Sequence, residues 1–275
     1  MADRDHRAGL FPALLKHWRG RRGLSQLDLA LTAGVSSRHV SFLETGRSAP
    51  SPEMVLRLAA CLNVPLRHIN AMLTAAGHPP AYPDSQGLPD EVTSALQLMK
   101  DHHEPFPLLI VDRTYDILDL NRGAVALFDR FFGDFTPPPG QRLNLARLTF
   151  DPKGAKSTVV NFEEVARALL WRIHREVLAA PREGPLRNLL DELLGMSTIE
   201  DDWRNADLSV PASPALVLHL RVDDLDLRFL IMATVFQAPQ AVMLDEMVIE
   251  PWFPQDAATV EGCHALLGAS DYDAP

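Results

Sequence analysis

The chain has 275 residues, 47% of them hydrophobic and 23% charged, which places it among ordinary globular proteins and excludes a disordered or fibrous chain. A formal charge of -10 argues against a nucleic-acid partner for the molecule as a whole, but the charge is unevenly spread. Through His78 ten basic side chains stand against five acidic ones, a net of +5, whereas the remaining 16 basic and 31 acidic side chains give -15. Only the first segment attracts phosphate, and the acidic remainder repels it.

Residues 11 to 77 read as five short helices, with apolar positions at helical spacing (Leu14, Leu15, Trp18; Leu27, Ala30, Leu31). Ser25, Ser36 and Ser51 are read as N-caps, Pro52 as a first helical residue, and Gly77 followed by Pro79 and Pro80 as a stop near Ala76. Within this stretch residues 25 to 47 have the spacing of a helix-turn-helix. Ala30 must be small where two helices cross, Gly34 permits the positive φ of the tight turn, and Val35, Val40 and Leu43 bury the inner face of the second helix. Ser37, Arg38 and Ser41 then face outward. A helix projecting them fits the major groove, where Arg38 can bond both acceptors of guanine; Phe42 either contacts a thymine methyl or packs inward. Gln26, with Ser25, Ser36 and Arg47, is expected to meet phosphate and position the domain, because free N–H groups and the helix dipole attract anions at helix starts. The alternative is a helical bundle that binds only protein.

This segment resembles the xenobiotic-response-element family of phage-repressor-like helix-turn-helix domains over roughly residues 10 to 77. The resemblance implies a double-stranded DNA partner and a structural ion pair between Arg19 and Glu44, neither of which then reads bases. One such helix covers only a few base pairs, so a homodimer on two half-sites is expected.

Residues 78 to 89, HPPAYPDSQGLP, hold four prolines and read as a linker. The division expected is therefore 1–78 for the DNA-binding head, 79–90 for the linker and 91–275 for a second domain. In the latter, a helix is expected over Glu91 to Lys100, then strands over Leu108 to Val111 and Ile117 to Leu120, then a helix capped by Asn121. Asn161 starts the longest helix, with Glu164 at the capping-box position and Val165, Leu169, Ile173 and Val177 along one face. Strands are read over Ala215 to Val222, Leu227 to Phe236 and Val242 to Ile249, joined by turns at DDLD and PQ. The middle one is apolar on both faces, compatible with either a packed core or a cavity.

Residues 91 to 267 resemble the MmyB-like ligand-binding domain. The resemblance is carried by Leu109-Ile110-Val111-Asp112-Arg113, Asp116-Ile117-Leu118 with Asn121-Arg122, Asn161 through Ala166, and Glu246 through Glu250 leading to Phe253-Pro254. Leu120 and Phe162 depart from the aromatic and the tryptophan usual at their positions. The resemblance implies a PAS-like antiparallel sheet flanked by helices, hence an α+β chain of two domains with an all-α five-helix head, and an elongated apolar ligand of the fatty-acid class. Were that ligand an acid, Asn121, Arg122, His174 and Arg175 are the candidates to meet its carboxylate, each also readable as a surface residue or, for Asn121, a cap.

No catalytic constellation is expected, and the chain is not read as an enzyme. Gly195-Met196-Ser197 lacks the Ser-Met order of self-cleaving repressors, Gly154-Ala155-Lys156-Ser157 lacks the glycines of a phosphate loop, and Asp223-Asp224-Leu225-Asp226 lacks the glycine and the twelfth-position glutamate of a calcium loop. His102, His103 and His174 have no ligand partner at metal spacing, and Cys61 and Cys263 stand alone, so no metal, cofactor or disulfide is expected. No signal core or membrane-length apolar run is seen, and a cytoplasmic location is expected. Three readings stay open: a ligand-responsive DNA-binding regulator, a DNA-binding regulator whose second domain only dimerises or binds protein, and a hydrolase fused to a DNA-binding head.

Overall fold

The computed structural model describes residues 9–84, 87–133, 135–179, 184–204 and 215–270. The chain divides into two units, one holding the residues up to Leu88 together with Gln237–Asp245, the other Pro89–Phe236 with the residues from Glu246 onward.

In the first unit five helices follow one another: α1 (Leu10–Arg21), α2 (Gln26–Ala33), α3 (Ser37–Glu44), α4 (Pro52–Cys61) and α5 (Leu66–Ala75). Their starts are chemical. The hydroxyls of Ser25, Ser36 and Ser51 accept from the N–H groups of Asp28, His39 and Met54, and Pro52 occupies the first turn of α4. Between α2 and α3 Gly34 has φ 65°, with nothing near the place of a Cβ, so glycine is needed there for backbone conformation and not for space. The core gathers Phe11, Leu15, Trp18, Leu29, Ala30, Val40, Leu43, Val55, Leu58 and Leu73, all buried. Leu27 and Leu31, read as apolar positions of the helical pattern, are 57% and 72% exposed.

Part of the stretch read as linker belongs to this core. Asn70 accepts from the N–H groups of Ala81 and Tyr82 and donates to the Tyr82 carbonyl, and Arg67 pairs with Asp84 at 3.0 Å. Ser85 and Gln86 lie outside the described residues.

The second unit opens with α6 (Asp90–His103), then the strands β1 (Leu108–Val111) and β2 (Ile117–Leu120), as the apolar runs predict. Their turn is held by Asp112, whose carboxylate accepts from Thr114 and Asp116 N–H groups. The helices α7 (Arg122–Phe132), α8 (Leu145–Phe150), α9 (Phe162–Ala179) and α10 (Pro185–Leu194) follow. Next come β3 (Ala215–Val222), β4 (Leu225–Met232), the short β5 (Thr234–Val235), β6 (Val248–Pro254) and α12 (Ala257–Ser270); the one-turn helix α11 (Val242–Glu246), between β5 and β6 in the chain, belongs to the first unit up to Asp245. The sheet runs β2-β1-β6-β4-β3, antiparallel throughout, with β5 also paired to β6.

One sheet face carries Leu218, Leu220, Leu227 and Phe229, which share a core with Val165, Leu169, Ile173 and Val177, the stripe of α9 expected from spacing. On the opposite face Val217, Leu230 and Phe253 stand in register across β3, β4 and β6, and Val217 and Phe253 remain exposed. The middle strand is thus buried on one side only. Gly262 of α12 leaves room for Leu227, since a Cβ there would lie 2.5 Å from Leu227 Cδ2.

Three expectations require correction. The run Leu227 to Phe236 is not one strand: β4 ends at Met232, and Thr234–Val235 turn to pair with Ile249 and Val248 of β6. Val242 to Ile249 is not a strand: residues 242–246 are helical, because Val242 is buried in the core of the first unit and Asp245 serves that unit as a helix cap, which strand geometry cannot combine. At the start of α9, Asn161 spends its side chain on β3, accepting from His219 N–H and donating to the Val217 carbonyl, so Glu164 meets its amide group and not its backbone.

Candidate nucleic-acid interface and ligand cavity

The helix-turn-helix is formed by α2 and α3. Arg19 Nε and Nη2 donate to the two oxygens of Glu44 at 2.6 and 3.0 Å, while Nη1 donates to the Leu24 carbonyl at 2.7 Å. Gln26 Nε2 donates to Glu44 Oε2 at 2.6 Å. Glu44, with 3% of its side chain exposed, thus ties α1, α2 and α3 together. Sequence reasoning assigned Gln26 to phosphate alone and missed this contact, which joins positions 18 residues apart.

Burial opposes ionisation of Glu44, but hydrogen bonds from Arg19 and Gln26 outweigh it and hold the carboxyl below its ordinary range. A folded pKa lower than the unfolded value of about 4.3 contributes stability that is present above that value and is lost as pH falls through the folded one. Acid titration of the wild type and of Glu44→Gln, followed by hydrogen exchange in α1 to α3, is expected to show a steeper loss below about pH 4.3 in the wild type. Parallel curves exclude Glu44 as the group responsible.

Outward from this network, Ser37 and Arg38 are exposed and Ser41 and Phe42 half-buried. The Phe42 ring lies under two cations: the guanidinium carbons of Arg38 and Arg47 stand 5.1 and 5.9 Å from its centroid. The ring therefore supports both arginines on the exposed side of α3. Ser25 and Ser36 hold their helix starts, with Ser25 and Asp28 completing a reciprocal capping box.

The second unit contains a cavity of about 920 Å³, the size of a small-molecule site. Its walls come from α9 (Phe162, Val165, Leu169), the end of α7 and α8 (Phe132, Leu148), and the buried sheet face (Leu218, Ile231, Trp252), with Trp203 beside them. A charged corner interrupts the apolar lining. Arg172 of α9 donates to Glu250 of β6 at 3.1 Å and to Tyr115 Oη at 3.0 Å, and Tyr115 donates to Glu176 at 2.9 Å. Burial pushes the Tyr115 phenol well above its usual range, so it stays a neutral donor. Arg172 and Glu250 both line the cavity.

Of the ligand candidates named from sequence, Arg175 lies on this wall, and Asn121, Arg122 and His174 do not. Asn121 is buried and structural: its oxygen accepts from Leu108 and Ala124 N–H groups and its nitrogen donates to the Phe106 carbonyl. The backbone N–H groups of Arg122 and Gly123 already meet a carboxylate, that of Glu104, at 2.8 and 2.9 Å. Burial, reinforced by Arg187, holds the His174 imidazole below its ordinary range, so at neutral pH it offers no charge. The wall residues missed were Arg172 and Glu250. Glu250 carried a signal, a carboxylate set within the apolar run Val248 to Phe253; Arg172 carried none.

Gly154-Ala155-Lys156-Ser157 is a turn with a 3-10 segment. Gly154 is required because a Cβ would lie 1.9 Å from the Leu148 carbonyl oxygen. Burial pushes the Cys263 thiol up to about 12, which leaves it unreactive. Among the described residues no group of three or more His, Cys, Asp or Glu side chains is placed to hold a metal ion, and no helix is long and apolar enough to cross a membrane.

A family model of the MmyB-like transcription regulator ligand binding domain matches residues 92–266, and a helix-turn-helix model matches residues 15–69. No curated protein matches the chain. A solved structure described as an RNA-binding light-oxygen-voltage receptor is similar at 11% identity and a TM-score of 0.27, over 98% of this chain and 62% of that one; at that score the likeness carries no argument. By these two family matches the chain belongs to the MmyB-like transcription regulators, DNA-binding proteins that carry a ligand-binding domain.

Proposed function

We propose that α3 enters the major groove of operator DNA, with Arg38 reading guanine, Ser37 and Ser41 beside it, and Phe42 holding Arg38 and Arg47 in place. Arg47 and the starts of α2 and α3, capped by Ser25 and Ser36, meet phosphate, and Gln26 contributes there while also fixing Glu44. Two copies occupy two half-sites, in the cytoplasm. The cavity takes an apolar small molecule of the fatty-acid class, and its occupancy alters DNA binding. Lys156, Arg167, Arg172 and Arg175 are the wall cations available to an acid head group.

The observation that carries the ligand reading is the cavity of about 920 Å³, whose largely apolar wall also carries the basic side chains Lys156, Arg167, Arg172 and Arg175. The reading in which this domain only docks protein draws on the other sheet face, where Val217 and Phe253 are 37% and 40% exposed. Denaturing the purified protein and identifying released molecules by mass spectrometry separates the two. A stoichiometric apolar ligand, or a rise in thermal stability on adding myristic or oleic acid, is expected. Repeated absence of both removes the sensor reading and leaves the docking one.

A further inference from the structure

Residues 237–245 leave the sheet after β5, join the core of the DNA-binding head, and return as β6. Val242, wholly buried, sits among the head's apolar side chains, and its N–H donates to the Pro83 carbonyl at 3.1 Å. The Asp245 carboxylate accepts from Leu66 N–H at 3.1 Å. That N–H opens α5, whose N-cap is Pro65, a residue with no side-chain acceptor. The helix takes its cap from 179 positions away, and a carboxylate suits the positive end of a helix.

Both flanks of this segment are cavity wall. Met232 and Ala233 precede it, and Glu250 and Trp252 follow it on β6, which β1, β4 and β5 hold by backbone pairing. Within the head, α5 reaches the DNA-reading helix through two packed contacts. His68 of α5 stands against Trp18 of α1, ring centroids 5.4 Å apart, and the neighbouring Arg19 holds Glu44 at the end of α3.

We propose that residues 237–245 are the coupling segment of this regulator: displacement of the cavity wall at Glu250 and Trp252 moves Asp245 and Val242, and these alter α5 and, through α1, the setting of α3. The regulatory sense of this segment rests on the ligand reading above; its mechanical sense does not.

A double-mutant cycle in the full-length protein tests it, with no ligand added. Operator affinity is measured for wild type, a wall variant (Glu250→Gln, with Trp252→Phe as a second), the cap variant Asp245→Ala, and each pair. The wall variants are expected to change operator Kd by about fivefold in the parent and by less than about twofold in the Asp245→Ala background, the non-additivity expected of coupled sites. In the same proteins Asp245→Ala raises hydrogen exchange at the start of α5 and leaves α9 unchanged. Equal fold-changes in both backgrounds, or no change on altering the wall in the parent, overturns the proposal. Extraction of a ligand alongside additive effects removes the coupling segment and keeps the sensor; non-additivity with no ligand does the reverse.

Discussion

Glu44→Ala is expected to destabilise the DNA-binding head by about 3 kcal/mol, the lower end of the cost of removing one partner from a buried ion pair. Glu44 is 3% and Arg19 16% exposed at the side chain, so the change leaves a guanidinium with little water to replace its carboxylate. It also strands the Gln26 amide. The loss falls on a contact that joins α2 to the end of α3, so operator binding is expected to weaken. Glu44→Gln keeps the acceptor and loses the charge, and a smaller loss is expected. Native-state hydrogen exchange in α1 to α3 reads the head separately from the sheet domain. A change of under about 0.5 kcal/mol, the size of an ordinary surface substitution, contradicts the network.

Arg172→Met is expected to cost the sheet domain about 1 to 3 kcal/mol, because it leaves Glu250, 2% exposed, without its cation, while solvent at Arg172, 38% exposed, screens part of the pair. Methionine fills a similar space, which confines the effect to charge and hydrogen bonding. Adding Glu250→Gln should recover most of the loss, since the cost lies in the stranded carboxylate rather than in the missing pair. Exchange rates in β6 and α9 report both variants. A stable single variant, or a double variant no better than the single, removes the ionic corner as a structural element. The pair also tests the wall: a ligand whose acid group meets Arg172 binds more weakly to both.

What could be seen in the sequence follows the range of the interactions. Caps at Ser25, Ser36 and Ser51, Pro52 at a first turn and the left-handed Gly34 are local devices, and the head was legible from them. So were β1 and β2, whose apolar runs end at polar turns. The stretch Val242 to Ile249 was not, because its local pattern suits a strand and its helical form answers to Leu66 and the head core. Asn121 and Arg122 looked like ligand groups because spacing places them at a helix start, and spacing does not show that Glu104 already supplies the anion. Arg172 was indistinguishable from Arg167 and Arg175, the other arginines of α9, until Glu250, 78 positions away, came beside it.

The central claim is that α3 reads DNA through Arg38. Duplexes enriched from a random pool by the wild-type protein provide the operator, and binding to it and to a scrambled duplex is then compared for wild type and Arg38→Ala at one salt concentration. Arg38→Ala is expected to lose about 1 to 3 kcal/mol on the operator and far less on the scrambled duplex. Failure to enrich any sequence, or equal operator binding by the two proteins, contradicts the claim.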